Sequence, residues 1–208
     1  MEWGSKSTRL YEEIRQSLQS GGYAPGTRLD ATALAKQFQA STTPVRHALY
    51  RLVGEGLAED HARDGFFVPP VTEWFLRDLY NWMRELLILA CDGIASYPEV
   101  VMRPPSAKHG DDVVTQTREL FEEIALARAS LQLTDTVRRA NARLEAIRKA
   151  EQQLLDDAPK EIAELQRLWG NGEVDTLKSV LAAYHERRLN LVPRIVAALG
   201  AATSRRPA

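Results

Sequence analysis

Leu10, Ile14 and Leu18 recur at spacings of four in STRLYEEIRQSLQS, with Tyr11 flanking them. That period predicts an amphipathic helix over residues 7–20. GGYAPGTRL breaks it, with Pro25-Gly26 suited to the middle of a type II turn. Asp30 can cap a short second helix in which Leu34 and Phe38 share a face. A third helix follows in TTPVRHALYRL: Thr43 is the expected N-cap and Pro44 suits the first helical position. Its apolar stripe is Val45, Ala48, Leu49 and Leu52, which turns Arg46, His47, Tyr50 and Arg51 outward, and Gly54 and Gly56 stop it. Residues 57–61 and 66–68 read as two short strands around the tight-turn signal Asp64-Gly65.

Beyond Pro69-Pro70 no further strand signal appears. Residues 72–96 form a long helix whose buried side is expected to carry Phe75, Leu79, Trp82, Met83 and Leu86. Residues 97–111 hold three prolines and read as a loop. Residues 112–129, 134–156, 159–169 and 173–199 read as helices, with Pro193 kinking the last and the tail SRRPA fraying. The fold class is therefore mainly α. An N-terminal winged helix-turn-helix with a small β-hairpin occupies residues 1–70, and an all-helical bundle occupies 71–208.

Composition narrows the function. The formal net charge is -1 and residues 1–70 balance eight Lys/Arg against eight Asp/Glu, so any basic footprint for nucleic acid is local. The single cysteine, Cys91, lies in an apolar run and reads as a small buried residue, which fits a reducing cytoplasm. The N-terminus lacks an apolar leader and LLILA is too short to span a membrane, so the expected location is cytoplasmic with no membrane partner. No Ser/His/Asp set, Gly-rich phosphate loop or two-histidine metal motif is present, which argues against an enzyme.

The motifs APGTRL, LAKQF, S-x-TPVR-x-AL, L-x-x-EGL and G-x-F-V, read along residues 8–70, resemble the DNA-binding domain of GntR-type bacterial transcription regulators. The helical remainder resembles the FadR-type branch, through FEEIALARAS (121–130) and GEVDTLKSVLAAYHERR (172–188). The resemblance implies a recognition helix that reads the major groove with Arg46, whose guanidinium can hold one guanine by two hydrogen bonds. Ser41, Thr42 and Thr43 would meet a phosphate at the helix N-terminus, Thr32 would lie nearby, and Arg63 and Gly65 would approach the minor groove from the wing tip. Arg51 either touches phosphate or pairs with Glu55. The family usually has arginine where this chain has Thr32 and Thr42, so its preferred DNA sequence differs.

For the second domain the resemblance implies a small effector held in the bundle. Many FadR-type domains bind it through a divalent metal on an acidic or amide residue and three histidines. Those positions fall here on Arg118, Glu122, Ile162 or Ala163, and His185. Only His185 survives, so no metal and no other cofactor is expected. An inward Arg118 would replace the metal's charge and pair with Glu122 or an anionic metabolite. Arg84, Asn141, Tyr184 and Arg188 are further candidates for effector binding. The proline-rich loop stands where a helix belongs, so the bundle is expected to have lost or shortened one. The expected function is a sequence-specific, ligand-responsive homodimeric repressor of metabolic genes that binds a palindromic double-stranded operator. The alternative is a DNA-binding protein whose helical domain only dimerises.

Overall fold

The computed structural model describes residues 2–96 and 112–204. The chain divides into two compact units, Met1–Val71 with Ala197–Ala208, and Thr72–Val196. In the first, α1 (Glu2–Gln19), α2 (Ala31–Gln37) and α3 (Thr42–Gly54) surround the core, with three short strands, β1 (Arg28–Leu29), β2 (Glu59–His61) and β3 (Gly65–Phe67), beside them. The predicted apolar positions are inside: Leu10, Ile14 and Leu18 of α1 and Val45, Leu49 and Leu52 of α3, a helix in contact with it, are all at most 6% exposed. Burying side chains of this size stabilises by about 1.5–3 kcal/mol each. Tyr11 of α1 adds a polar tie: its hydroxyl donates to Glu55, which also pairs with Arg15 at 3.4 Å. Burial, then the Glu55 carboxylate, pushes the Tyr11 phenol up to about 12.

Several boundaries differ from the sequence reading. The N-cap of α3 is Ser41 rather than Thr43, so Pro44 sits two positions deeper than expected, where its absent N–H is still not needed. The wing is a three-stranded antiparallel sheet in the order β1-β3-β2, because Arg28 and Leu29 pair with Phe67 and Phe66. A two-residue strand has too little alternation to be read from a pattern.

The second unit holds α4 (Glu73–Ser96), α5 (Val113–Ala127), α6 (Leu131–Glu151), α7 (Ala158–Asn171) and most of α8 (Val174–Ser204). Asp112 and Ser130 cap α5 and α6 through backbone N–H groups, and α7 stops at Gly172 in the left-handed conformation. Helix α8 continues through Pro193. Leu79, Met83 and Leu86 of α4 are buried as expected, but Trp82 is 46% exposed and Phe75 is half-buried with Arg143 over its ring. The proline-rich stretch, and with it the expectation of a shortened bundle, lies outside the described residues, as do residues 205–208. No helix among the described residues is long and apolar enough to cross a membrane.

Candidate functional site

Helix α3 is held from behind and free in front. Val45, Ala48, Leu49 and Leu52 are buried, while Arg46, His47 and Tyr50 face solvent. Ser41 makes no side-chain cap bond, so the first-turn N–H groups of α3 are left to an outside acceptor. Tyr50 packs edge-on to Phe66 of β3 at 5.0 Å, which ties the outer face of the helix to the wing. At the wing tip Asp64 N–H donates to the His61 carbonyl, and Gly65 follows with φ +90. A side chain there would be strained.

These elements enclose a concavity of about 300 Å³ lined by Thr32, Arg46, Arg63 and Gly65, together with Arg28 and Tyr50. Four residues predicted from sequence thus converge from α2, α3 and the wing. Arg28, missed because β1 was missed, joins them with its guanidinium 3.9 Å from where a Cβ on Gly65 would stand. Among the described residues Arg28, Arg46 and Arg63 are exposed and take part in no ion pair. Asp30 and Asp60 line the same concavity, so its three arginines leave a local excess of about one positive charge, and they supply directed guanidinium donors rather than a strong positive field. Ser41, Thr42 and Thr43 lie apart from it at the start of α3, and Ser41 borders a separate groove with Lys6 and Arg9 of α1. Arg51 forms no pair with Glu55; its guanidinium lies 3.7 Å above the Tyr11 ring. Its cation thereby supports the α1–α3 contact.

Of the candidates in the bundle, Asn141, Tyr184, His185 and Arg188 are buried, whereas Arg84, Arg118 and Glu122 are not. Arg118 keeps 34% of its side chain exposed and pairs with Glu119 at 3.2 Å and Glu122 at 3.8 Å. Glu122 also pairs with Arg138, and Arg84 faces Glu186 at 3.8 Å. The Arg118–Glu122 pair is therefore a half-exposed helix pair of modest strength rather than a substitute for a buried metal. The buried cations are Arg148 and Arg188, at 4% and 3% exposure. Arg188 Nε donates to Glu151 and Nη2 to Glu161, both at 2.9 Å, and its guanidinium lies over the Tyr184 ring. Burial opposes the Arg188 charge, but Tyr184, Glu151 and Glu161 outweigh it and push its pKa up. Tyr80 donates to the other Glu151 oxygen. Arg148 donates to Asn141, whose amide in turn donates to the Arg118 carbonyl. Arg148, Glu151, Tyr80 and Glu161 were not singled out in the sequence.

His185, 1% exposed, shares its Nδ1 proton with the Leu181 carbonyl and stacks on Phe121. Burial, reinforced by Arg188, Arg148 and Arg84, lowers its pKa to about 3. A divalent cation does not suit this donor set. Three guanidinium groups already act on His185, Ile162 is a buried aliphatic, Ala163 offers no donor, and no cluster of three acidic, histidine or cysteine side chains exists among the described residues.

Residues 6–68 match the model of the gntR family of bacterial regulatory proteins. They are a GntR-family DNA-binding domain. In sequence, the chain is 31% identical over 84 residues to the HTH-type transcriptional regulator YdhC of Bacillus subtilis, an alignment covering 40% of this chain and 38% of YdhC. It is 35% identical over 85 residues to the Nta operon transcriptional regulator of Aminobacter aminovorans, covering 39% and 40% of the two chains. It is 32% identical over 90 residues to McbR of Escherichia coli, covering 43% and 41%. The chain thus spans about two fifths of the length of these relatives. Over nearly the whole length, its fold is similar to E. coli McbR/YncC, with TM-score 0.67, 19% identity, and 91% and 97% of the two chains covered. It is likewise similar to a GntR regulator from Rhodococcus sp. RHA1, with TM-score 0.68, 18% identity, and 90% and 97% covered. The GntR family and these relatives are transcription regulators, not enzymes.

Proposed function

We propose that the chain is a sequence-specific transcription regulator that binds a palindromic operator as a homodimer and represses metabolic genes in the cytoplasm. The observation that carries this reading is Arg46: exposed, unpaired among the described residues, and set beside Thr32, Arg63 and Gly65 on a helix anchored along its opposite face. Such a helix fits the major groove, and the wing fits the adjoining groove. Two-fold DNA sites require two such helices about one helical turn apart, which is the argument for a dimer. The uncapped start of α3, with Ser41, Thr42 and Thr43, supports a phosphate contact that fixes register.

The test begins by selecting binding duplexes from a random pool with the wild-type protein. Each bidentate arginine–guanine contact is worth about 1–3 kcal/mol, so a dimer losing two forfeits roughly 2–6 kcal/mol. Arg46→Ala should therefore weaken binding to the selected duplex by at least about thirty-fold, while binding to a scrambled duplex and the dimer mass stay unchanged. Unaltered affinity for the selected duplex would remove Arg46 from the reading.

In the ligand-responsive form of this reading, a small anionic metabolite enters the bundle near Arg188, Tyr184 and His185 and shifts the placement of the DNA-binding units. A specific observation favours the alternative, in which the helical domain only dimerises. The cavity beside Arg148, Tyr184 and Arg188 measures about 10 Å³, at the lower limit for a single water.

A further inference from the structure

Arg188 is bound on every side by groups of its own chain. Nε donates to Glu151 and Nη2 to Glu161, each at 2.9 Å, Nη1 donates to the Tyr184 carbonyl at 3.0 Å, and the guanidinium carbon lies 3.3 Å from the centre of the Tyr184 ring. Glu151 is held as fully: it is 4% exposed and takes the Tyr80 hydroxyl on Oε1 and Arg188 on Oε2. A planar cation on an aromatic face, with a hydroxyl donor aimed at the same carboxylate, is the arrangement that holds a carboxylate ligand in a dry pocket. Here the carboxylate arrives on α6, the hydroxyl on α4, and the cation on α8.

We propose that Arg188 and Tyr80 form a carboxylate receptor whose resident guest is Glu151, so that the bundle carries its own anionic ligand and stays assembled without a metal or a small carboxylate effector. The inference takes up the dimerisation-only reading of the bundle and makes no use of DNA binding. The space left beside the guest, about 10 Å³, admits no second carboxylate. Removing Glu151 is also costly: Arg188 keeps Glu161 as its carboxylate partner, but its Nε–H and the Tyr80 hydroxyl are left buried without an acceptor.

The geometry supplies its own probe. Glu151→Ala removes the side chain beyond Cβ, a fragment that acetate reproduces atom for atom. Thermal unfolding of the full chain at neutral pH is followed in acetate and in chloride of equal ionic strength. Glu151→Ala in chloride should melt about 2–12 °C lower than wild type, the range set by leaving buried donors without an acceptor in a chain of this size. Acetate should then raise the variant's midpoint in a saturable way, by about 3–5 °C for each tenfold excess over its dissociation constant. The wild type, with the pocket filled, should show no acetate-specific shift. Glu151→Gln fills the same space without charge and should be insensitive to acetate.

If Glu151→Ala gives no cooperative transition in chloride, its recovery in acetate supports the proposal. Failure of acetate to restore it, while Glu151→Gln still folds, overturns it. Two further results overturn it equally: an acetate shift in the wild type as large as in Glu151→Ala, or a folded Glu151→Ala that acetate leaves unmoved. Each can occur with the DNA-binding result for Arg46 intact, so the two readings fail separately.

Discussion

Acid should destabilise the bundle through His185 before it titrates the ordinary carboxylates. The imidazole is fully enclosed, its Nδ1 proton is spent on the Leu181 carbonyl at 2.8 Å, and Arg188, Arg148 and Arg84 all act on it. Its pKa in the fold is about 3, against 6.5 for a free histidine. The folded chain therefore refuses a proton that the unfolded chain accepts, and stability declines as pH falls below the unfolded value. Between roughly pH 6.5 and the folded pKa the loss grows by about 1.4 kcal/mol per pH unit. At pH 5 it amounts to about 2 kcal/mol, a figure that hardly changes for any folded pKa below about 4. In midpoint terms this is roughly 4–8 °C. The assay is thermal or urea unfolding at pH 7.5 and pH 5, for the wild type and for His185→Gln, which cannot titrate. Asp112, Asp157, Glu164 and Glu173 all have lowered pKa values and lose stability in the same direction. They do so in both proteins, so the difference between the two pH slopes isolates the imidazole. Parallel slopes would refute the reasoning and place His185 in contact with water.

Two other sites give sharp expectations. A Cβ on Gly93 of α4 would stand 2.0 Å from Arg128 Nη1, which donates to the Leu89 carbonyl at 2.9 Å, so Gly93→Ala must expel the guanidinium. Losing that charged hydrogen bond should cost about 1–3 kcal/mol by urea unfolding. In an Arg128→Ala background the same change should instead stabilise by about 0.5–1 kcal/mol, the usual gain of alanine over glycine in a helix. Destabilisation in both backgrounds would mean that Gly93 answers to something other than Arg128. At the concavity lined by Arg28, Arg46 and Arg63, the proposed DNA contact predicts that Arg28→Ala lowers the salt dependence of binding by about one phosphate equivalent per subunit, on selected and scrambled duplexes alike. A change confined to the selected duplex would make Arg28 a base reader.

The parts of the molecule legible from sequence are those where a local pattern and a tertiary demand coincide. The four apolar positions of α3 fix which face is buried, so the outward placement of Arg46 follows from the spacing alone. The start of the same helix does not follow. Ser41, Thr42 and Thr43 all carry hydroxyls, and the backbone, not the side-chain type, decides that the cap is Ser41. Trp82 fails for another reason. Helix α4 carries apolar residues around more than one face, so periodicity cannot say which stripe meets the core, and Trp82 stays 46% exposed.

At the bundle centre Asn141, Tyr184, His185 and Arg188 follow from the sequence, but Arg148 and Glu151 do not, because charge is read as exposure. Arg148 and Glu151 sit near the end of a helix rich in Arg, Lys and Glu, where such residues normally line a solvated face. Only the rotation of α6 against α4 and α8 turns these two inward, to meet Tyr80 and Arg188. Resemblance misled in a complementary way, since it pointed to the positions of absent metal ligands and so to Arg118, which remains half-exposed among carboxylates. The charge that stands near His185 comes instead from Arg188, three residues further along α8. That step of three places both side chains on one face of the helix. It explains how a single surviving histidine can lie at the heart of a polar centre and yet, with a pKa of about 3 and an arginine beside it, be unsuited to the cation its position suggests.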